Sequence, residues 1–309
     1  MGQFVVAQLR AAGYPDSRII LTSRNMDAMP AGGGRAVAGD LTDRSSVAAL
    51  LEEIRPGAVI HLAAVALPAE ARANPDEAWA LNFTAVRYVA EEILARCPEA
   101  RLIFAGSAEA YGASFLEAEG PIPETAALRP ISTYGATKAA ADILLGQMAW
   151  QGLKAVRFRA FNHTGPGQSP DYVVASFVTQ VAEIEAGLRP PVLNVGNLTP
   201  RRDFLDVRDV ARAYVAALTA DLDFAAGPVF NLARALPVRI GDILDRLVAM
   251  STTKIEVRVD PGRVRSVDLP VATGSIYLAS TYLTWEPSIN FQATLESMLD
   301  YSRGLVKGL

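Results

Sequence analysis

The chain has 309 residues, half of them apolar and a fifth charged, with a formal net charge of −4. That size suits one large α/β domain or a core with a smaller unit attached, and that composition suits a globular protein. The acidic balance argues against a nucleic-acid surface, and no apolar run reaches membrane-spanning length. One cysteine, Cys97, excludes an internal disulfide and fits a reducing cytoplasm. The two histidines, His61 and His163, show no metal-ligand spacing.

The chain opens with Met1-Gly2-Gln3-Phe4 and runs directly into an amphipathic helix, Phe4–Ala12. A dinucleotide-binding sheet ordinarily starts with a strand and a glycine-rich turn. Gly2 then reads as the last glycine of such a turn, which predicts a strand and further glycines ahead of residue 1. A flexible second residue is the alternative. Strands are predicted at Arg18–Arg24, Arg35–Asp40, Ala58–Ala64, Arg101–Ser107 and Lys154–Phe161. Helices are predicted between them at Asp43–Ile54, Pro75–Arg96 and Ile131–Trp150. Nearly all-apolar strands alternating with helices predict a doubly wound, Rossmann-like parallel sheet, with ligands at the carboxyl ends of its strands.

After Phe161 the rhythm changes. A Gly/Pro-rich loop, Thr164–Pro170, precedes a helix at Val173–Ala186, a strand at Pro191–Val195, a helix at Asp206–Thr219 and a strand at Val229–Ala233. The division expected is a dinucleotide core of residues 1–163 and 206–235, interleaved with a substrate unit of residues 164–205 and 236–309.

Tyr134-Gly-Ala-Thr-Lys138 puts a phenol and an ammonium one helical turn apart on one face. A phenol near pKa 10 exchanges protons near neutrality only with help, and a neighbouring ammonium or an oxidised nicotinamide lowers that value. Ser107 ends an apolar strand, where it can hydrogen-bond a substrate carbonyl. Asp40, in Gly39-Asp40-Leu41, reads equally as a ligand to an adenine amino group or as a helix cap. His61 reads as a core histidine, whereas Leu62, Ala63 and Ala64 permit close approach of a cofactor. Asn82 is a helix-surface residue or a brace for the active-site strands. Arg24 ends its strand where an acid would take ribose hydroxyls, and no acid follows until Asp27. An arginine there accepts a 2′-phosphate, which favours NADPH over NADH; a solvated arginine is the alternative. Arg201-Arg202-Asp203-Phe204 and Arg263-x-Arg265 are candidate diphosphate clamps, or surface arginines paired with Asp203 and Asp268.

These motifs resemble the extended short-chain dehydrogenase/reductases that act on nucleotide sugars, and among them the GDP-6-deoxy-4-keto-mannose reductases. The matching stretches are HLAA at 61–64, GSAEAYG at 106–112, RPISTYGATKA at 129–139, FNHTGPGQSPDYVV at 161–174 and VGNLTPRRDFLDVRDVARAY at 195–214. The resemblance implies NAD(P)H as cofactor, a GDP-sugar substrate, and Ser107, Tyr134 and Lys138 as the catalytic set. Asp40, Leu41, Leu62, Ala63, Ala64 and Phe161 would line the cofactor, with Gly2 and Arg24. Asn162 and Arg202, with Arg265, would hold the nucleotide diphosphate. Glu109 stands where related dehydratases carry an acid/base glutamate. A GDP-mannose 4,6-dehydratase, a hexose 4-epimerase and a non-catalytic dinucleotide sensor are the alternatives. The resemblance also implies a homodimer or homotetramer joined by a four-helix bundle of 75–96 and 131–150, whose Trp79, Tyr88 and Trp150 exceed one buried stripe.

Overall fold

A computed structural model describes residues 1–25, 34–263 and 269–307. It opens with α1 (Gly2–Ala11), then β1 (Ile20–Ser23) and β2 (Arg35–Ala38), which pair in parallel. α2 (Arg44–Ile54) leads to β3 (Ala58–His61) and the short helices α3 (Pro68–Ala73) and α4 (Pro75–Trp79). A wider, π-type turn at Ala80–Thr84 joins α4 to α5 (Ala85–Arg96), so the single helix expected over Pro75–Arg96 is interrupted. β4 (Arg101–Ser107), α6 (Thr133–Ala149) and β5 (Lys154–Ala160) follow.

The second half begins with β6 (Asn162–Thr164), α7 (Val173–Glu185), β7 (Val192–Val195), β8 (Arg201–Arg202), β9 (Phe204–Asp206) and α8 (Val207–Ala216). β10 (Val229–Leu232), β11 (Val238–Arg239), α9 (Ile240–Ala249), β12 (Glu256–Val259), β13 (Val271–Ala272), α10 (Tyr277–Leu283) and α11 (Phe291–Lys307) complete it. Among the described residues no helix is long and apolar enough to cross a membrane.

The central sheet has strand order β3-β4-β5-β10, all parallel. Arg101 pairs with Lys154 and Ser107 with Ala160, so β4 and β5 end level. Their interiors are apolar on both faces because helices cover both. On one side Leu102 and Phe104 pack with Val86, Ile93 and Leu145. On the other, Val156 and Phe158 pack with Val5 of α1, Val210 and Tyr214 of α8, and Trp285. Ala279, Leu283 and Trp285 thus join the first core although the sequence division puts them in the second unit. Trp285 is tied there by its indole N–H, which donates to the Asp209 carbonyl at 2.9 Å.

The parallel sheet is in two pieces: among the described residues no strand hydrogen-bonds β1 to β3. A separate core joins α7, α9 and α11 around Phe177, Leu193, Leu244 and Leu295. β6 and β9 pair between the two cores, Asn162 with Phe204 and Thr164 with Asp206.

Candidate active site

Ser107 is the last residue of β4, buried, and its Oγ accepts from the Glu109 N–H at 3.2 Å. The chain turns there into a 3-10 helix, Ala108–Ala110. α6 starts opposite that turn. Its cap is Ser132, whose Oγ accepts from the Gly135 N–H at 3.0 Å and lies 3.5 Å from a Glu109 carboxylate oxygen. Gly135 permits the approach: a Cβ there would stand 2.6 Å from the Glu109 carbonyl oxygen. The first turns of α6 therefore bring Tyr134 to the end of β4, where Ser107 is near enough to its phenol to stabilise the phenolate.

Lys138, one turn on, is buried, and its ammonium donates to the Ala105 carbonyl of β4 at 2.9 Å. Burial lowers its pKa to about 8. Tyr134 departs from the sequence expectation. Burial pushes the phenol above its ordinary value, Ser107 pulls it back, and the Glu109 charge raises it further. The lysine's proton is engaged with a backbone carbonyl instead of the phenol, so desolvation wins.

Behind this trio stands Asn82, fully buried on the π-type turn. Its Oδ1 accepts from the Val65 N–H at 2.8 Å, and its Nδ2 donates to the Val65 carbonyl and to Thr137 Oγ1, each at 3.0 Å. It ties the loop after β3, with half-exposed Leu62, Ala63 and Ala64, to α6 between Tyr134 and Lys138. It is buried and not on the helix surface, and what it braces is the loop after β3 and α6, not the strands themselves. His61 is buried at the end of β3 and held neutral, its pKa lowered to about 4 by burial and by Lys138.

Arg24 and Asp40 follow the carboxyl ends of the paired strands β1 and β2. Asp40 does not cap α2; Asp43 does, accepting from Ser45 N–H at 2.9 Å. Asp40 instead accepts from the Thr42 N–H at 2.8 Å and its hydroxyl at 2.6 Å. Those bonds, and the charge of Arg24, hold its carboxyl below the ordinary range. Arg24 is exposed, and its ion pair with Glu77 is long at 4.0 Å. Leu41 is half-buried beside Asp40, and Asp27 lies outside the described residues. Gly2 begins α1, with open space where a Cβ would stand.

Phe161, buried just past β5, packs edge-on against Phe115 at 5.9 Å. Asn162 and Arg202 come together on the wall of a cleft of about 630 Å³. Arg202 donates to the Leu269 carbonyl at 2.7 Å. The cleft's back wall is set by Gln180, which exchanges two hydrogen bonds with the Asn194 backbone, at 3.0 and 3.1 Å. Gln180 and Arg189, also on that wall, were not singled out in the sequence, since neither falls in a motif. Asp203 does not pair with an arginine side chain in the described bonds. It is fully buried, accepting from the Arg234 N–H at 2.7 Å and the Thr273 hydroxyl at 2.9 Å. Arg265, Asp268 and the Arg263 side chain lie outside the described residues.

A serine at a strand end beside a Tyr-x-x-x-Lys helix, on a parallel sheet covered by helices, is the arrangement of the short-chain dehydrogenase/reductase class. The family model for GDP-mannose 4,6 dehydratase matches residues 2–298, and the chain belongs to that family. It is 31% identical to a GDP-6-deoxy-D-mannose reductase of Pseudomonas aeruginosa over 84% of each chain. It is 27% identical to a UDP-glucose 4-epimerase of Neisseria gonorrhoeae, over 84% of this chain and 79% of that one. The solved structure of RMD from Pseudomonas aeruginosa complexed with NADPH superposes with a TM-score of 0.80 at 26% identity, covering 97% of this chain and 96% of that one.

Proposed function

We propose that the protein reduces the C4 keto group of a GDP-4-keto-6-deoxyhexose with a nicotinamide cofactor, NADPH in preference to NADH. The observation that carries this reading is the convergence of Ser107, Tyr134 and Lys138 at the end of β4 in a chain so similar to a GDP-6-deoxy-D-mannose reductase.

The residues present fit a dinucleotide. Arg24 and Asp40 at the ends of β1 and β2 would hold the adenosine end, Arg24 taking a 2′-phosphate. Leu62, Ala63 and Ala64 leave room above β3, and the buried ammonium of Lys138 would grip the nicotinamide ribose. The reduced nicotinamide, when bound, supplies a hydride. The chain's own part is proton transfer and orientation: Ser107 orients the carbonyl, and Tyr134 donates its proton to the carbonyl oxygen. The phenol is protonated at neutral pH, so it carries the proton to be given, although burial makes it a weaker acid. Lys138 adds positive charge as the phenolate forms, which lowers the cost of releasing that proton. Asn162 and Arg202 would hold the diphosphate in the cleft between α7 and β8.

In this reading the substrate unit comprises residues 164–205 and 236–309, its stretch from Ala279 to Trp285 packing back on the central sheet, and the protein works in the cytoplasm as a homodimer or larger homo-oligomer. Dehydration of GDP-mannose is the second reading. It is favoured by Glu109, close enough for its charge to act on the Tyr134 phenol.

Tyr134→Phe tests the assignment. It removes the proton donor and little contact area, so kcat is expected to fall at least about a hundredfold with cofactor affinity nearly unchanged. A loss of less than about tenfold, worth about 1.4 kcal/mol, removes Tyr134 from the chemistry.

A further inference from the structure

Around the catalytic turns the buried residues of α6 other than Lys138 and Asp142 are small, Gly135, Thr137, Ala139 and Ala141, while Leu145 and Met148 follow toward its far end. A Cβ on Gly146, near the helix's other end, would stand 2.6 Å from an Arg157 guanidinium nitrogen. Small side chains let a helix come close, but they form shallow ridges and specify its position along its own axis poorly. Lys138 does little to correct this, since its four-carbon stem can follow a shift while keeping its bond to Ala105.

Asp142 is a stiffer anchor. Tyr134, Lys138 and Asp142 follow one another at steps of four, on one helix face. Asp142 is buried, and it takes a two-pronged hydrogen bond from Arg159 of β5: Nε to Oδ2 at 3.0 Å and Nη2 to Oδ1 at 2.9 Å. Arg157, also on β5, adds Nη1 to Oδ1 at 2.9 Å. Arg159 is itself buried and continues the chain of bonds. Its Nη1 donates to the Tyr111 hydroxyl at 2.9 Å and to the Glu124 carbonyl at 2.8 Å. The Tyr111 hydroxyl donates in turn to Asn231 Oδ1 at 2.7 Å. Tyr111 belongs to the turn that leaves β4, directly after Ser107 and Glu109. One continuous network therefore joins the helix bearing Tyr134 and Lys138 to the turn bearing Ser107 and Glu109.

Burying these charges is an inefficient way to hold a helix down, because an apolar pair of equal volume does so without the desolvation penalty. What the fork supplies is a single allowed register. We infer that Asp142, acting through Arg159, is a positioning residue that fixes the axial register of α6 and so sets the Tyr134 phenol against Ser107. The inference rests on the proposed roles of Ser107 and Tyr134. A displacement of the phenol by about an ångström is enough to lower turnover about a hundredfold while leaving ligand binding in place.

Two variants and one spectroscopic readout test it. Asp142→Asn keeps the shape and removes the charged fork; Asp142→Glu keeps the charge and lengthens the arm by a methylene. Both are expected to lower kcat at least about tenfold, with KM for substrate and cofactor within about twofold. The thermal midpoint of Asp142→Glu stays near the parent's. The protein is also prepared with fluorotyrosine at its nine tyrosines, the Tyr134 fluorine resonance being assigned by Tyr134→Phe. That resonance moves in both folded variants, while that of exposed Tyr282 does not. Parental kcat with an unmoved Tyr134 resonance overturns the inference. So does a loss of activity that only tracks the fraction of unfolded protein. Should the parent reduce no 4-keto sugar nucleotide, the proposed function falls, and the fluorine resonance alone decides the role of Asp142.

Discussion

The ammonium of Lys138 on α6 donates to the carbonyl of Ala105 on β4 across 2.9 Å, inside a site where burial lowers its pKa to about 8. An unfolded lysine titrates near 10.5. Between those values the unfolded chain holds the extra proton. The group's contribution to stability is therefore complete above about 10.5 and is lost as pH falls through about 8. At neutral pH the buried charge costs on the order of 3 kcal/mol. Lys138→Met in the cofactor-free protein is accordingly expected to raise the melting temperature at neutral pH and to change it little near pH 10 (about the unfolded value). Calorimetry at the two pH values checks this; a variant less stable than the parent at neutral pH counts against it.

Under the proposed function cofactor choice rests on Arg24, whose charge acts on Asp40 at the ends of β1 and β2. Arg24→Ala is expected to weaken NADPH binding about tenfold, about 1.4 kcal/mol, and to leave NADH within about twofold. Fluorescence titration of both reduced cofactors measures it. Equal affinity of the parent for the two would remove the 2′-phosphate from the role of Arg24.

The strands that frame the site are legible in the sequence because their apolar runs are covered on both faces, and β4 spans the expected Arg101–Ser107. Tyr134 and Lys138 are legible because a spacing of four has a fixed meaning on a helix. What escapes is long-range. The break at Ala80–Thr84 goes with the bonds of Asn82 to Val65 and Thr137, seventeen and fifty-five residues away. No local preference encodes that. Arg159 and Asp142 meet only because β5 lies against α6, and in the sequence each reads as an ordinary charged residue. Asp40 shows the opposite case. Its carboxylate was visible, but which side chain capped α2 depended on where the helix started.

Self-association is expected from the outer face of α6, where Ile143 is 61% exposed, and from Trp150 at its end, 85% exposed. Apolar side chains of that size in water favour a partner, and a second copy offering α5 and α6 would complete the four-helix bundle. Light scattering at micromolar concentration is expected to give a dimer or larger, and Ile143→Lys to shift it toward monomer with the fold intact by circular dichroism. A monomeric parent contradicts the assembly.

Reductase and dehydratase chemistry part at C5 and C6 of the sugar, where dehydration needs a second acid/base that Glu109 could supply. The direct measurement is the near-ultraviolet absorbance of NADPH, followed with GDP-4-keto-6-deoxymannose and separately with GDP-mannose, with products identified by mass. Consumption of NADPH with the keto sugar, giving a product two hydrogens heavier, and no reaction with GDP-mannose are the expected results. Loss of water from GDP-mannose without net oxidation of NADPH would contradict the reductase assignment and make Glu109 the acid/base of a dehydratase.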